Sequence, residues 1–275
     1  MARAPSGAMV TGCGSSGTRW DDASVAGRLF LGTSGFAYEE WRHGVFYPEG
    51  VTASRMLRHY SSVFGSVEIN YTFRKWPSEK VLDAWREQTP DGFRFALKAN
   101  QRITHTRRLA GAGPDLREFA AQAARLGDRL GPVLVQLPPT LAYDPELLRA
   151  FADELPAGMK TAMEFRHDSW ADARPLLEQR GIALCVADTD EAPATAKQLS
   201  WEPFGYLRLR RAAYGDEELA VWARRIRAAV RKGRDVHCYF KHEDSAAGPR
   251  MAIRLRELLG EQAAHADPSR GGEAS

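Results

Sequence analysis

Eight short apolar runs, separated by longer segments, are the feature that most restricts how this chain can fold. These runs are predicted to be β-strands at residues 29–32, 66–70, 93–98, 133–137, 161–165, 183–188, 206–210 and 236–240. Helical spacing of apolar residues predicts helices at residues 54–64, 78–88, 114–130, 145–154, 174–180, 217–231 and 246–259. Eight alternating strands and helices are typical of a single (β/α)8 TIM-type barrel, with a doubly wound open sheet as the alternative. The segment between strands six and seven, with Pro193 and Pro203, lacks a helical pattern and is predicted to be irregular.

The 275 residues contain no obvious internal linker, which predicts one barrel domain at residues 28–260. Residues 1–27 and 261–275 are rich in small and polar residues and are predicted to be flexible tails.

Composition restricts the location and the partners of the protein. The three cysteines, Cys13, Cys185 and Cys238, have no paired spacing, which favours a reducing cytoplasm. No apolar run is long enough to span a membrane, and the N-terminus does not resemble a signal peptide, so no membrane partner is predicted. The net charge of +3 permits an anionic partner without requiring one.

Alternation of side chains along the strands separates residues that face the helices from those that face the barrel interior. Polar residues predicted to face inward cluster at the C-terminal ends of their strands and are Glu68, Asn70, Lys98, Gln136, Glu164, Arg166, Asp188 and Arg208. On strand six the residues predicted to face inward are Leu184, Val186 and Asp188. Barrel interiors are usually apolar, whereas catalytic groups lie at the C-terminal ends of strands, so these residues predict a functional site. A buried network in which acids and bases neutralise each other is the structural alternative.

The loop after strand one, at residues 32–50, is long and dense in aromatic residues. Long loops at this end of a barrel often contact substrate, so Ser34, Phe36 and Trp41 are predicted substrate contacts.

Basic side chains follow several other strands. His105 comes after strand three and is a candidate general base. His167 follows strand five, and Arg210 and Lys241 follow the last two strands. The C-terminal face is therefore predicted to be basic, although the whole chain is nearly neutral.

Metal binding is less well supported by the sequence. Carboxylates and imidazoles at the C-terminal face leave a divalent metal open, but no local spacing such as His-Glu-x-x-His indicates one. No other cofactor is predicted.

The ordered motifs resemble those of the YecE-like proteins, the family catalogued as domain of unknown function 72. The matching stretches are GTSGFAYEEW, EINYTFRKWPS, FRFALKANQRITH, GPVLVQLPP, EFRHDSW, YLRLRRAAYGDEEL and CYFKHED. The resemblance spans roughly residues 29–259 and implies a TIM-type barrel, but no reaction. The motif positions hold Glu68, Asn70, Lys98, His105, Gln136, Glu164, Arg166 and His167.

Two places depart from the pattern of many YecE-like proteins. Arg210 and Arg211 stand where many members have His-Gly, and Lys241 and His242 stand where many have Asn-Asn. These residues make the predicted pocket more basic than in those members.

The predicted function is an enzyme of hydrolase or lyase type acting on a small anionic substrate, such as a phosphorylated sugar, a nucleotide or a nucleic-acid end. Glu68 is interpreted as the base and Glu164 as the acid, while Lys98 stabilises developing charge or forms a Schiff base. The catalytic candidates are Glu68, Lys98, His105 and Glu164. The substrate-binding candidates are Ser34, Phe36, Trp41, Asn70, Gln136, Arg166, His167, Asp188, Arg208, Arg210 and Lys241.

Two other interpretations compete with the enzyme. A nucleic-acid-binding protein without catalysis would stack bases on the aromatic side chains and follow phosphates with arginines, but dedicated binders usually carry a broader basic surface. A non-catalytic barrel would use the charged residues as a structural network. The predicted partner is thus a small anion, with nucleic acid as the alternative, and the sequence does not define the oligomeric state.

Overall fold

Eight parallel strands close into a barrel in the order of the sequence. The computed structural model describes residues 26–241 and 246–260, so the predicted C-terminal tail, residues 1–25 of the predicted N-terminal tail and His242 lie outside the described residues. The strands are β1 Leu29–Ser34, β2 Ser66–Ile69, β3 Arg94–Lys98, β4 Leu130–Gln136, β5 Thr161–Glu164, β6 Ala183–Asp188, β7 Gly205–Leu209 and β8 Val236–Phe240. Because β8 pairs with β1, the sheet is closed, and the predicted TIM-type barrel is confirmed over the open sheet.

Helices follow most strands and cover the outside of the barrel. They are α1 Ala53–Val63, α2 Tyr71–Arg74, α3 Glu79–Gln88, α4 Gly113–Ala123, α5 Pro145–Asp153, α6 Arg174–Gln179, α7 Asp216–Arg231 and α8 Ala247–Leu259. The helix predicted at residues 114–130 is shorter than expected, because Gly127 has a φ of 57° and interrupts the 3-10 turns of Ala124–Arg129 that follow α4. Within residues 26–241 and 246–260, no helix combines the length and apolarity needed to cross a membrane.

The connection between β6 and β7 is irregular, as predicted. Its only helical residues, in a segment that the structure describes throughout, form the 3-10 turn Ala196–Gln198. The peptide bond between Glu202 and Pro203 is cis.

The barrel interior is filled by a second apolar cluster, separate from the core between sheet and helices. Its members are Ala96, Leu134, Ala162, Ala183, Cys185, Phe204, Tyr206 and Tyr239. Cys185 therefore faces inward, whereas Val186 packs in the outer core. The inward face predicted for strand six is wrong by one residue, because both faces of this parallel strand are apolar and alternation does not distinguish them.

Candidate functional site

Arg208, on β7, lies at the centre of a buried ion-pair cluster in the mouth of the barrel. Its Nη2 donates to Glu68 Oε1 at 2.8 Å, and its Nη1 donates to Glu164 Oε2 at 2.6 Å. These side chains are 3%, 0% and 2% exposed, respectively. The closed parallel sheet brings β2, β5 and β7 together at one end, so three distant residues meet. One guanidinium fork holds two carboxylates, which is a strong form of charge-assisted hydrogen bonding.

The Glu68 carboxylate is fixed on both oxygens. Oε1 accepts from Arg208 and from the Ser34 hydroxyl, and Oε2 accepts from the Tyr206 hydroxyl at 2.8 Å. Asn70 Nδ2 in turn donates to Ser34 Oγ at 2.8 Å. A general base must reach the proton that it removes, and a fully buried carboxylate with these partners does not reach a substrate. The structure therefore supports a positioning role for Glu68 rather than the predicted role as base.

Glu164 carries the second buried carboxylate, and basic groups surround it. Its Oε1 lies 3.0 Å from Arg166 Nε and 3.8 Å from Arg210 Nη1, while Cys185 Sγ lies 3.9 Å from Oε2. Burial alone would raise its pKa, but Arg208 and then Arg166 outweigh burial and lower the pKa to about 2. The carboxyl is therefore ionised at neutral pH, and the predicted role of Glu164 as general acid is not supported.

Arg166 and Arg210 form the partly exposed rim above this cluster, with side chains 35% and 22% exposed. Arg166 Nη2 also donates to Gln136 Oε1 at 3.1 Å, which holds its guanidinium toward the mouth. Burial, and next the charge of Arg208, lower the pKa of Arg210. Because Glu164 is shared among three arginines, the rim keeps an excess of positive charge.

Lys241 follows β8 beside this rim. Its backbone N–H donates to Leu209 O at 3.0 Å, which ties the residue to the end of β7 immediately before Arg210. The structure therefore brings the predicted anion-binding residues to one side of the mouth.

Lys98, the last residue of β3, is a half-buried basic residue of the mouth with a lowered pKa. Its Nζ lies 4.1 Å from the centre of the Phe73 ring, and the side chain is half-buried. Burial, reinforced by the positive charge of Arg208, lowers its pKa from 10.5 to about 8 despite the opposing charges of Glu68 and Glu164. An amine of this kind is partly neutral near neutral pH and can act as a base or a nucleophile.

His105 lies beside Lys98 because both contact the same aromatic ring. Its imidazole meets Phe73 edge to face, with ring centres 5.0 Å apart. The residue belongs to the short π-helix Arg102–Thr106, and its Nδ1 lies 2.8 Å from Thr104 Oγ. Burial, followed by the charge of Lys98, lowers the pKa of His105, so the neutral ring predominates at neutral pH. His105 and Lys98 are the described residues of the mouth best suited to move protons.

Neither Phe73 nor Tyr206 is among the predicted site residues, although alternation along strand seven predicts that Tyr206 faces the barrel interior. Tyr206 precedes Arg208 by two positions on β7, so alternation alone places it inside the barrel beneath the arginine. Phe73 lies on α2, which no periodicity in the sequence indicated.

Asp188 is predicted from the sequence to contact substrate, and its position in the structure shows that this prediction is wrong. Its side chain is fully buried and accepts hydrogen bonds from the Arg211 guanidinium, from the Tyr214 hydroxyl at 2.8 Å and from the Ala194 backbone N–H at 2.7 Å. The carboxylate therefore joins the loops that follow β6 and β7. It faces away from Arg208 because β6 presents the opposite alternation to the one predicted.

Trp41 is a second predicted substrate contact that the structure does not bear out. The side chain is 1% exposed, and its ring packs 4.8 Å from Tyr38 and 5.8 Å from Phe46, measured between ring centres. Phe36 is partly buried and packs 6.0 Å from Tyr60. The aromatic loop after β1 is therefore mainly a packing cluster rather than a binding surface.

The Trp41 assignment predicts a change in stability without a change in ligand binding. Trp41→Phe should lower the free energy of unfolding by about 1 kcal/mol, because a smaller ring leaves part of the cluster unfilled. Urea unfolding would measure this change. The melting-temperature shift caused by phosphate should equal that of the wild type, and a smaller shift would return Trp41 to the binding surface.

The residues of the EFRHDSW motif serve two purposes, because some belong to the candidate site and others stabilise the turns and the core that follow β5. Glu164 and Arg166 face the mouth, whereas His167 is exposed and its Nδ1 accepts from the Ser169 backbone N–H at 3.2 Å. This bond caps the 3-10 turns of residues 168–173. Trp170 stacks in the core with its Nε1 donating to Leu141 O, so the motif serves both structure and site.

A divalent metal would need several carboxylate, imidazole or thiolate ligands arranged around one point. No group of three or more His, Cys, Asp or Glu side chains within residues 26–241 and 246–260 is arranged to hold an ion. The acidic residues nearest the mouth, Glu68 and Glu164, are bound by Arg208 instead.

A cavity of about 560 Å³ opens at the opposite, N-terminal end of the barrel. Among its lining residues are Lys160, Arg180 and Asp235, and Lys160 Nζ lies 3.6 Å from Asp235 Oδ2. Active sites of TIM-type barrels lie at the C-terminal end, so this cavity is separate from the candidate site despite its size.

A family model described as "Protein of unknown function DUF72" matches residues 30–273. The chain belongs to the DUF72 family. UPF0759 protein YecE of Escherichia coli K12 is 32% identical over 160 residues. These residues cover 54% of this chain and 57% of YecE, so the match spans little more than half the length of YecE. UPF0759 protein YunF of Bacillus subtilis is 28% identical over 273 residues, covering 84% of this chain and 94% of YunF.

A solved structure supports the same assignment. The DUF72 family protein of Thermotoga maritima has a TM-score of 0.68 and 25% identity, covering 84% of this chain and 99% of that chain. The family resemblance seen in the sequence motifs is therefore confirmed by sequence and by fold.

Proposed function

We propose that this DUF72 protein is an enzyme that binds a small anionic substrate, of the phosphate-bearing class, in the mouth of the barrel. The observation that carries the proposal is the partly exposed pair Arg166 and Arg210 above a buried cluster whose carboxylates are already bound. Guanidinium groups in this setting suit phosphate and carboxylate oxygens.

Electrostatics favours an anion at this position. Two carboxylates face four basic side chains in the cluster and its rim, which are Arg166, Arg208, Arg210 and Lys98. Placing several like charges in a half-buried mouth is costly, and the pKa of Arg210 is lowered by burial and next by the charge of Arg208. A bound anion would offset the repulsion, whereas a neutral ligand would not.

Proton transfer would fall to Lys98 and His105 instead of the two glutamates. Both bases have lowered pKa values, so a larger fraction of each is unprotonated at neutral pH than in an unperturbed lysine or histidine. Both glutamates bind the Arg208 guanidinium and hold it in place. Acid and base chemistry of hydrolase or lyase type is the reaction that we propose.

The nucleic-acid alternative receives less support from the surface. Base stacking needs exposed aromatic rings, but the large apolar side chains exposed within residues 26–241 and 246–260 are Val45 and Tyr71. The cytoplasm stays our proposal for the location, because Cys185 and Cys238 are free thiols.

A thermal-shift series tests the anion site. Inorganic phosphate, sugar phosphates, nucleotides and a short oligonucleotide would be compared with their unphosphorylated counterparts, since a ligand of the folded state raises the melting temperature. Arg166→Ala with Arg210→Ala should weaken phosphate binding roughly 100-fold or more, because each lost charged hydrogen bond contributes about 1.5–3 kcal/mol. Arg224→Ala, on the exposed face of α7, is the matched control and should bind normally.

Each outcome assigns a different function. A phosphate-dependent shift that the double variant loses supports the proposal, and a shift that it keeps places the anion elsewhere. A strongly salt-dependent shift with the oligonucleotide alone favours a nucleic-acid-binding protein. No shift with any compound favours a structural charge network.

A further inference from the structure

The surroundings of Lys98 point to a covalent step, and we propose that its amine forms a Schiff base with an aldehyde or ketone group of the substrate. This inference rests on the function proposed above, because Arg166 and Arg210 would hold the anionic end of the same molecule. The substrate class is thereby narrowed to a small carbonyl compound that carries a phosphate or carboxylate.

The first support is the position of the amine. Lys98 ends β3 at the C-terminal end of the barrel, where substrates of TIM-type barrels react. Its Nζ rests 4.1 Å from the centre of the Phe73 ring, an apolar wall that limits its access to water. A half-buried amine that still faces the mouth can meet a bound carbonyl carbon.

The second support is the lack of an acidic partner for this amine. Among the described residues, no carboxylate oxygen lies within 4.0 Å of Lys98 Nζ, since Glu68 and Glu164 are bound by Arg208. A carboxylate in direct contact would hold the lysine protonated and unreactive. Arg208 therefore has a consequence beyond stability, because it pairs with both buried carboxylates of the mouth.

The electrostatic setting makes the unprotonated amine more abundant. Burial and Arg208 lower the pKa of Lys98 from 10.5 to about 8. At pH 7 this change raises the neutral fraction about 300-fold over an ordinary lysine. Schiff-base lysines elsewhere are activated by the same combination of desolvation and a cationic neighbour.

The step balances without an oxidant or reductant. The lone pair of Nζ attacks the carbonyl carbon, the C–O π bond breaks toward oxygen, and the oxygen takes up a proton from solvent. His105 accepts the proton that the new C–N bond makes acidic and returns it to the hydroxyl, which leaves as water. The product is a protonated imine, which can accept electrons when a neighbouring C–C or C–H bond breaks, as in a lyase.

Reductive trapping tests the step on the full chain. Protein would be incubated with borohydride and one of three probes: pyruvate, glyoxylate or dihydroxyacetone phosphate. Intact mass should increase by the probe minus an oxygen atom, and peptide mapping should place the adduct on Lys98. The initial rate of trapping should rise with pH around a midpoint near 8, the pKa of the amine.

Three variants separate this inference from general lysine chemistry. Lys98→Arg keeps the positive charge, and Lys98→Met keeps a side chain of similar length. Each should lose at least about nine-tenths of the adduct, because a lysine of ordinary pKa has a far smaller neutral fraction at pH 7. Lys75→Arg removes an exposed lysine near the same end of the barrel and should be trapped normally. Equal adduct yields in wild type and Lys98→Arg, or none in wild type with any probe, would overturn the inference.

Failure of the covalent step is distinguishable from failure of the anion site. A phosphate-dependent thermal shift that Lys98→Arg retains, together with no trapped adduct in the wild type, removes the Schiff base and leaves the proposed function. Absence of that shift in the wild type removes the proposed function, and the inference with it.

Discussion

Replacing Arg208 with methionine should lower the free energy of unfolding by about 3–5 kcal/mol, because it leaves two buried carboxylates without their shared partner. Glu68 and Glu164 are at most 2% exposed, so water cannot replace the lost hydrogen bonds. Arg166 and Arg210 pair with Glu164 from the partly exposed rim, so they would offset part of the loss at Glu164. Neither of them pairs with Glu68 in the described residues. Urea unfolding followed by tryptophan fluorescence would measure the loss at neutral pH.

The same variant should weaken the dependence of stability on pH in the acidic range. In the wild type the pKa of Glu164 falls from 4.5 to about 2, so its ion pairs stabilise the fold above about pH 4.5 and are lost as the pH falls toward about 2. Without Arg208, only Arg166 and Arg210 oppose the effect of burial on the pKa of Glu164, so ionisation of this carboxyl stabilises the variant less than the wild type. The stability difference between wild type and variant should therefore be largest at neutral pH and shrink on acidification.

A triple variant provides the control for Arg208. Arg208→Met combined with Glu68→Gln and Glu164→Gln removes both negative charges along with the positive one, and it should recover more than half of the lost stability. If Arg208→Met alone unfolds like the wild type at neutral pH, the cluster is not structural and the positioning roles given to the glutamates are wrong.

The sequence predicted the barrel and the convergence of the site because both depend on regular patterns. Each strand is an apolar run between turn signals, and parallel strands in a closed sheet end at the same face. Glu68, Glu164 and Arg208 lie more than forty positions apart in sequence and yet meet, because each lies on the inward side near the C-terminal end of its strand.

The predictions for β6 and for Trp41 were wrong for specific physical reasons. Alternation could not orient β6, since Leu184 and Val186 are as apolar as Ala183 and Cys185, and Asp188 was placed on the wrong side as a result. Trp41 was expected to contact substrate because aromatic loops often do, but its neighbouring rings enclose it. Only tertiary contacts distinguish an aromatic residue that packs inside its own loop from one that is free to contact substrate.

Protonation was the property least accessible to the sequence. Glu164 was predicted to be an acid, but its pKa is decided by arginines on β7 and on its own loop. Conversely, Lys98 was one of several basic candidates until the contacts showed that its carboxylate neighbours are bound elsewhere. The buried acids thus position other groups, and the partly exposed bases are left to act on a ligand.

Lys98→Met should stabilise the protein at neutral pH by about 1–2 kcal/mol, which is the opposite of what removing a structural residue does. The lowered pKa shows that the folded protein disfavours the ammonium, and this cost disappears with the charge. The expected gain in stability is smaller than the pKa shift alone implies, because water partly reaches the ammonium. The variant also loses the contact between the ammonium and the Phe73 ring, which contributes about 0.5–1 kcal/mol.

The pH dependence of this gain identifies its cause. Because the folded pKa of about 8 lies below the ordinary 10.5, the unfolded chain binds more protons between these values, and wild-type stability rises there relative to Lys98→Met. The advantage of the variant should be constant below about pH 8 and vanish by about pH 10.5. Lys75→Met, at an exposed lysine, should show no such trend. If Lys98→Met instead destabilises the protein equally at all pH values, Lys98 is a packing residue and its amine is not held ready for chemistry.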